Sequence, residues 1–136
     1  MIKNINKDIN ILQQKSIPAT RADLAIGQDL KDTLTANADR CVGMAANMIG
    51  VNKRVIIAAV GPLQLVMFNP EIIAKSNPYQ TKEGCLSLSG QRPTTRYQKI
   101  KVRFYNEQWQ QQELALADFP AEIVQHEVDH CNGRLI

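Results

Sequence analysis

The only two histidines of the chain fall in one five-residue string, His126-Glu127-Val128-Asp129-His130. Positions i and i+4 share one face of an α-helix, so imidazoles at this spacing can grip a single cation. Glu127 stands beside the first of them, free to take a proton from water polarised by that ion. This is the chemistry of the H-E-x-x-H pattern. A bound metal lowers the pKa of water from 15.7 to roughly 7, so hydroxide becomes available at neutral pH. The plain alternative is a core-edge helix carrying two coincidental histidines. The spacing, the intervening glutamate and the lack of any other histidine weigh against it. Ile123 lies on the same face and supplies an apolar wall.

Two imidazoles do not complete a catalytic centre, which ordinarily has three protein ligands and one open position. Only six residues follow His130, so the third ligand must come from upstream. Cys131 points about 100° away from His130 around a helix and reads as a small packing residue. A structural four-ligand zinc site that includes it is disfavoured on the same ground. Cys41, in a loop of small residues, stays open as a ligand. Cys85 is the better candidate. It lies in Glu83-Gly84-Cys85-Leu86-Ser87, where Gly84 permits close backbone approach. Alone it would read as a buried apolar cysteine; beside an incomplete histidine pair, ligation becomes the stronger reading.

These residues need a frame. Asp118 is placed to cap a final helix, with Pro120 in its first turn, Glu122 at its positive end and Gly133 at its C-terminal end. A second helix is expected from about Arg21 to Asn37, opened by a capping box at Thr20 and Asp23. Asn4 to Ile17 reads as extended, and Asp39 to Gly50 as a loop. Strands are expected at Arg54 to Val60, Leu63 to Phe68, Thr81 to Leu88 around Cys85, Ile100 to Tyr105 and Glu113 to Ala117. Asn69-Pro70 is expected to break the second, with Glu71 to Lys75 continuing extended. The fold class is α+β: one N-terminal helix and short antiparallel strands packed around a C-terminal metal-binding helix.

The 136 residues suit a single domain spanning 1–136. With 44% hydrophobic and 21% charged residues the chain has material for a packed core, and disorder is not expected. No apolar run approaches the roughly 20 residues that span a bilayer. The start MIKNINKDIN lacks a signal-type apolar core, so a cytoplasmic location is expected, with thiol or metal-ligand roles ahead of disulfides for the three cysteines. The net charge is +3. Lys53, Arg54, Arg92, Arg96, Lys99, Lys101 and Arg103 form the nearest thing to a basic cluster. It could meet an anionic partner such as ribosomal RNA, or be a solvated strand face. No specific DNA or membrane partner is indicated.

Taken together, the strings resemble the peptide deformylases, metalloenzymes that remove the formyl group from the N-terminal formyl-methionine of new bacterial proteins. That family carries G-x-G-x-A-A-x-Q, E-G-C-L-S and Q-H-E-x-D-H. Here they read Cys41-Val42-Gly43-Met44-Ala45-Ala46-Asn47-Met48, Glu83-Gly84-Cys85-Leu86-Ser87 and Gln125-His126-Glu127-Val128-Asp129-His130, in the same order. The resemblance covers about Ile9 to the C-terminus, and no extension beyond Ile136 is expected. It implies Cys85, His126 and His130 as ligands of one divalent ion, iron(II) natively, with zinc or nickel able to replace it. It implies Glu127 as general base and acid, and the Leu86 backbone N–H as donor to the oxyanion on the formyl oxygen. Val42, Glu83, Arg92, Phe119 and Ile123 would line the methionine pocket. The backbone of Val42 and Gly43 would hold the peptide as an added strand. The implied partners are N-formylmethionyl nascent peptides and, with them, the ribosome.

The first motif departs from the family. Cys41 replaces its first glycine, and Met48 replaces the glutamine whose amide donates a second hydrogen bond to the oxyanion. Losing such a donor costs on the order of 10²–10³ in turnover in other hydrolases. Asn47 carries an amide one residue out of register. Ser89 stands where many members have proline. The leading reading is therefore a formyl-methionyl-peptide hydrolase of reduced activity. The second is a deformylase-like protein that binds metal and peptide N-termini without efficient turnover. The third is a small peptidase acting on ordinary amides, which the E-G-C-L-S string disfavours.

Overall fold

The computed structural model describes all residues, 1–136. Helix α1 (Ile9–Leu12) is a single turn, followed by a 3-10 turn at Arg21–Asp23 that leads into α2 (Leu24–Ala36). Then come β1 (Gly43–Ala45), a 3-10 turn at Ala46–Ile49, β2 (Val55–Val60), β3 (Leu63–Cys85), β4 (Leu88–Tyr105), β5 (Gln111–Ala117) and α3 (Asp118–Cys131). The strands form one antiparallel sheet in the order β1-β2-β3-β4-β5. The α+β architecture agrees with the sequence expectation. No helix is long and apolar enough to cross a membrane.

Strand β2 shows why the sheet sits at the centre. Val55 and Ile57 join the core cluster that includes Leu30 and Leu34 of α2. Ile56 and Ala58 join the cluster that includes Val124 and Val128 of α3. Side chains alternate across a strand, so a segment covered on both faces reads as a continuous apolar run.

Several expectations need correction. The segment from Asn4 to Ile17 is not wholly extended, because Asp8 caps α1 by accepting from the Asn10 N–H at 2.9 Å. The stretch from Asp39 to Gly50 is not a plain loop, because it contains β1 and a buried 3-10 turn. Asn69-Pro70 does not end a strand. Asn69 takes φ 53° at a register shift and β3 continues to Cys85. Its side-chain amide clamps both backbone groups of Ala19, at 2.7 and 2.9 Å, which ties the N-terminal segment to the sheet. The strands are not all short: β3 and β4 form a hairpin that runs far past the neighbouring strands. Pro78 and Pro93 sit in that overhang, where an outer strand edge needs no N–H donor. Finally, Asp118 is not the cap of α3. It is the first helical residue, at φ 58°, and its carboxylate accepts from Gln98 at 3.2 Å. The Arg21–Asn37 helix is observed as a 3-10 turn plus α2, with the Thr20 N–H donating to Asp23 at 2.8 Å.

Candidate metal centre and its cavity

Helix α3 presents His126 and His130 to the tip of the β3–β4 hairpin, where Cys85 ends β3. One ligand atom from each of the three lies within 4.8 Å of the other two. The His126 Nδ1 meets Glu83 Oε1 at 2.7 Å. A carboxylate only accepts, so Nδ1 carries the proton and Nε2 offers its lone pair. That Nε2 faces His130 Nε2 at 3.1 Å. Two nitrogens bound at about 2.0–2.1 Å to one tetrahedral ion would stand about 3.3 Å apart, so the pair is spaced as for a shared cation. Two facing lone pairs repel unless a proton or a cation lies between them. The donor set therefore fits a metal.

Glu83 is buried and accepts from Arg96 through both oxygens, at 2.7 and 2.9 Å. Arg96 reaches on to Asp129 of α3 at 2.6 Å. This chain of charges joins β3, β4 and α3 and fixes the plane of the His126 ring. Burial opposes ionisation of Glu83, but its bonds to His126 and Arg96 outweigh that and hold its carboxyl well below the usual range. Gln125 docks the same helix: it accepts from the Tyr97 N–H and donates to the Tyr97 carbonyl, both at 2.8 Å.

Without a cation, burial of His126 disfavours its charge, yet the bonds to Cys85 and Glu83 prevail and raise it to about 10. Burial and the charge on His126 push His130 down to about 3. The metal-free site thus holds His126 protonated at neutral pH, and an incoming cation must displace that proton. The sign follows: affinity for a divalent ion should rise with pH, about tenfold per unit for each proton released. Competition titrations at about pH 6 and about pH 8 measure the slope; a flat profile would contradict a proton held on His126.

Glu127 is 4% exposed and its Oε1 has no hydrogen-bond partner in the protein. Burial raises its carboxyl to about 7, with His126 pulling in the opposite direction. That value suits a group that accepts and returns a proton near neutrality. The cavity that it borders holds about 460 Å³ and is lined by Val42, Gly43, Met48, Leu86, Phe119 and Ile123 together with Cys85 and His126. Val42 and Phe119 are exposed at its rim, 43% and 57%. Glu83 also borders the space, but its carboxylate is committed to His126 and Arg96. Glu122 borders it too; burial, with Glu83 alongside, raises its carboxyl above the usual range.

Gly43 is a close-approach site. A Cβ there would lie 2.7 Å from Ile123 Cγ2 and 3.0 Å from Glu127 Oε2. Gly43→Ala should therefore push α3 away from β1, costing about 1–3 kcal/mol. Urea unfolding reads that loss, and an unchanged midpoint would argue against the tight contact.

Arg92 does not line the cavity. It lies opposite Glu83 in register, but its guanidinium turns to the Ser89 carbonyl at 3.3 Å. Cys41 lies at the rim rather than among the clustered ligands, and its thiol donates to the Gly43 carbonyl at 2.8 Å. Burial pushes that thiol up to about 11. Cys131 is fully buried in the core behind α3, where burial pushes it up to about 12. Met48 is 1% exposed, and its sulfur lies 3.9 Å from Cys85 Sγ. Asn47 is no substitute donor, because its amide donates to the His130 carbonyl at 2.8 Å. The sequence reading misses Arg96 and Asp129 as supports. Arg96 reads as one of several scattered cations, and only its pairing with Glu83 across the hairpin reveals it. Three members of the basic cluster are ion-paired: Lys53 with Asp23, Arg96 with Glu83 and Asp129, and Arg103 with Glu113.

The frame and its cavity define a class, an α+β protein that brings a thiol, two imidazoles and a buried glutamate to one place. Comparison with known proteins narrows it. The polypeptide deformylase family pattern matches residues 2–136. A peptide deformylase of Clostridium beijerinckii is 48% identical over 136 residues, all of both chains. A class I type b peptide deformylase of Acinetobacter baumannii, solved with Met-Ala-Ser bound, superposes with a TM-score of 0.89 at 32% identity. That match covers 99% of this chain and 97% of the other. The peptide deformylase of Thermotoga maritima gives 0.89 at 27% identity, covering 99% and 95%. The chain belongs to the peptide deformylase family.

Proposed function

We propose that this protein hydrolyses the formamide bond of N-formylmethionyl peptides, with turnover lowered by Met48. The observation that carries the reading is geometric: the buried, unpartnered Glu127 carboxylate lines the same cavity as Cys85 and His126 of the clustered Cys85–His126–His130 ligand set. The chemistry a divalent ion such as iron(II), zinc or nickel supplies there is Lewis acidity, which makes water a nucleophile at neutral pH. Glu127 takes the proton from the attacking water and returns it to the leaving amine. The Leu86 backbone N–H, in the turn directly after Cys85, donates to the oxyanion that develops on the formyl oxygen. The apolar surface of Val42, Phe119 and Ile123 accepts the methionine side chain. The backbone of Val42 and Gly43 aligns the peptide as an added strand. The Met-Ala-Ser bound to the Acinetobacter baumannii relative supports a peptide in this cleft. A nascent chain as substrate brings the protein to the ribosome in the cytoplasm. From the basic cluster, Arg54, Arg92, Lys99 and Lys101 make no ion pair within the chain; Arg54 donates to the Cys131 carbonyl and Asn132, which leaves the other three for any contact with RNA.

A second reading is favoured by one observation. Asn47 is tied to the His130 carbonyl of α3, so it gives no amide in place of the glutamine that, by the resemblance, Met48 replaces. In that reading the protein binds metal and peptide N-termini without efficient turnover. Formate release from formyl-Met-Ala-Ser, with the protein loaded with iron(II) or nickel, separates the two. Release above a Glu127→Ala control supports hydrolysis. Peptide affinity with no release above that control supports the binding module.

A further inference from the structure

We propose that Met48 is a fourth donor to the metal, and that its thioether makes this centre a site for copper(I). The sulfur of the buried Met48 lies 3.9 Å from Cys85 Sγ, and Met48 lines the same cavity as Cys85 and His126. Two sulfurs at about 2.3 Å from one tetrahedral ion stand about 3.8 Å apart, so the observed contact is close enough for both sulfurs to reach one ion. The facing imidazole nitrogens, 3.1 Å apart, would supply the other two corners. The set is then one thiolate, one thioether and two imidazoles. Thioether sulfur is soft and neutral, a weak ligand for iron(II) or zinc and a good one for copper(I). A glutamine at this place would offer a hard amide instead.

With a hard ion the thioether yields its corner, and the open position that hydrolysis requires is kept. With copper(I) all four corners come from the protein and no water is activated. Met48 thereby sets metal preference as well as the lack of an oxyanion donor. The inference rests on the Cys85–His126–His130 ligand set and not on formyl hydrolysis.

The test uses the full chain, loaded anaerobically with copper(I) or with zinc, alongside Met48→Leu, which keeps volume and removes only the sulfur. Copper(I) affinity, read by competition with a chromogenic chelator, should fall on the order of tenfold in Met48→Leu, while zinc affinity moves by less than about threefold. X-ray absorption at the copper edge should count two sulfur neighbours in the native protein and one in the variant. Zinc binding that survives in both proteins shows that the three-ligand centre is intact. Against that background, one sulfur in the native copper form, an unchanged copper affinity or no copper binding at all overturns the proposal. If zinc binds neither protein, the three-ligand centre fails and the proposal fails with it.

Discussion

Met48→Gln is expected to raise the rate of formate release from formyl-Met-Ala-Ser by on the order of 10²–10³, with most of the gain in kcat. The reasoning is electrostatic. Negative charge grows on the formyl oxygen as water attacks, and a donor aimed at it stabilises the transition state more than the substrate. The Leu86 N–H is one such donor in the proposed mechanism. In the same proposal the place of the second is taken by the Met48 thioether, which has no hydrogen to give. The neighbouring Asn47 cannot turn to help without breaking its bond to the His130 carbonyl and disturbing a ligand. Met48 lines the cavity, so a glutamine of similar length can present its amide there. A Met48→Gln rate equal to that of the native protein would mean that donor loss does not limit turnover.

The second large effect concerns Glu127. Glu127→Ala should lower kcat by on the order of 10²–10⁴, the range for a positioned acid–base group. Metal content should stay close to native, because Glu127 is not among the clustered ligands. Glu127→Gln keeps the shape and removes the basicity, and should be equally slow. The native enzyme should also gain rate as pH rises through the region where Glu127 loses its proton. Metal-free, that lies near 7, and a cation beside it draws it lower. The acidic limb should vanish in Glu127→Gln. Near-native rates in that variant would assign the proton transfer elsewhere.

The residues of the centre are more legible in the sequence than the scaffold that aims them. His126, Glu127 and His130 stand out because helical spacing is local, and Cys85 follows from a missing ligand. Glu83 is assigned by resemblance to the pocket wall, yet its carboxylate mainly anchors His126 and Arg96. Arg96 and Asp129 escape notice because their partners are distant in sequence and meet only when β3, β4 and α3 assemble. The hairpin overhang escapes for another reason. Residues such as Ser76, Asn77, Gln80 and Lys82 face solvent, so no two-residue hydrophobic alternation marks the strand. Long-range pairing alone makes it β. The family comparison also extends further than the motifs do, reaching back to residue 2 where the sequence resemblance begins near Ile9.

Cobalt(II) titration of the metal-free protein, followed through the near-ultraviolet thiolate-to-metal absorption, tests the centre most directly. The account predicts a band that saturates at one ion per chain, disappears in Cys85→Ser and fails to saturate at that stoichiometry in His126→Ala and His130→Ala. A titration in which Cys85→Ser takes up cobalt with native affinity and an unaltered spectrum would contradict it.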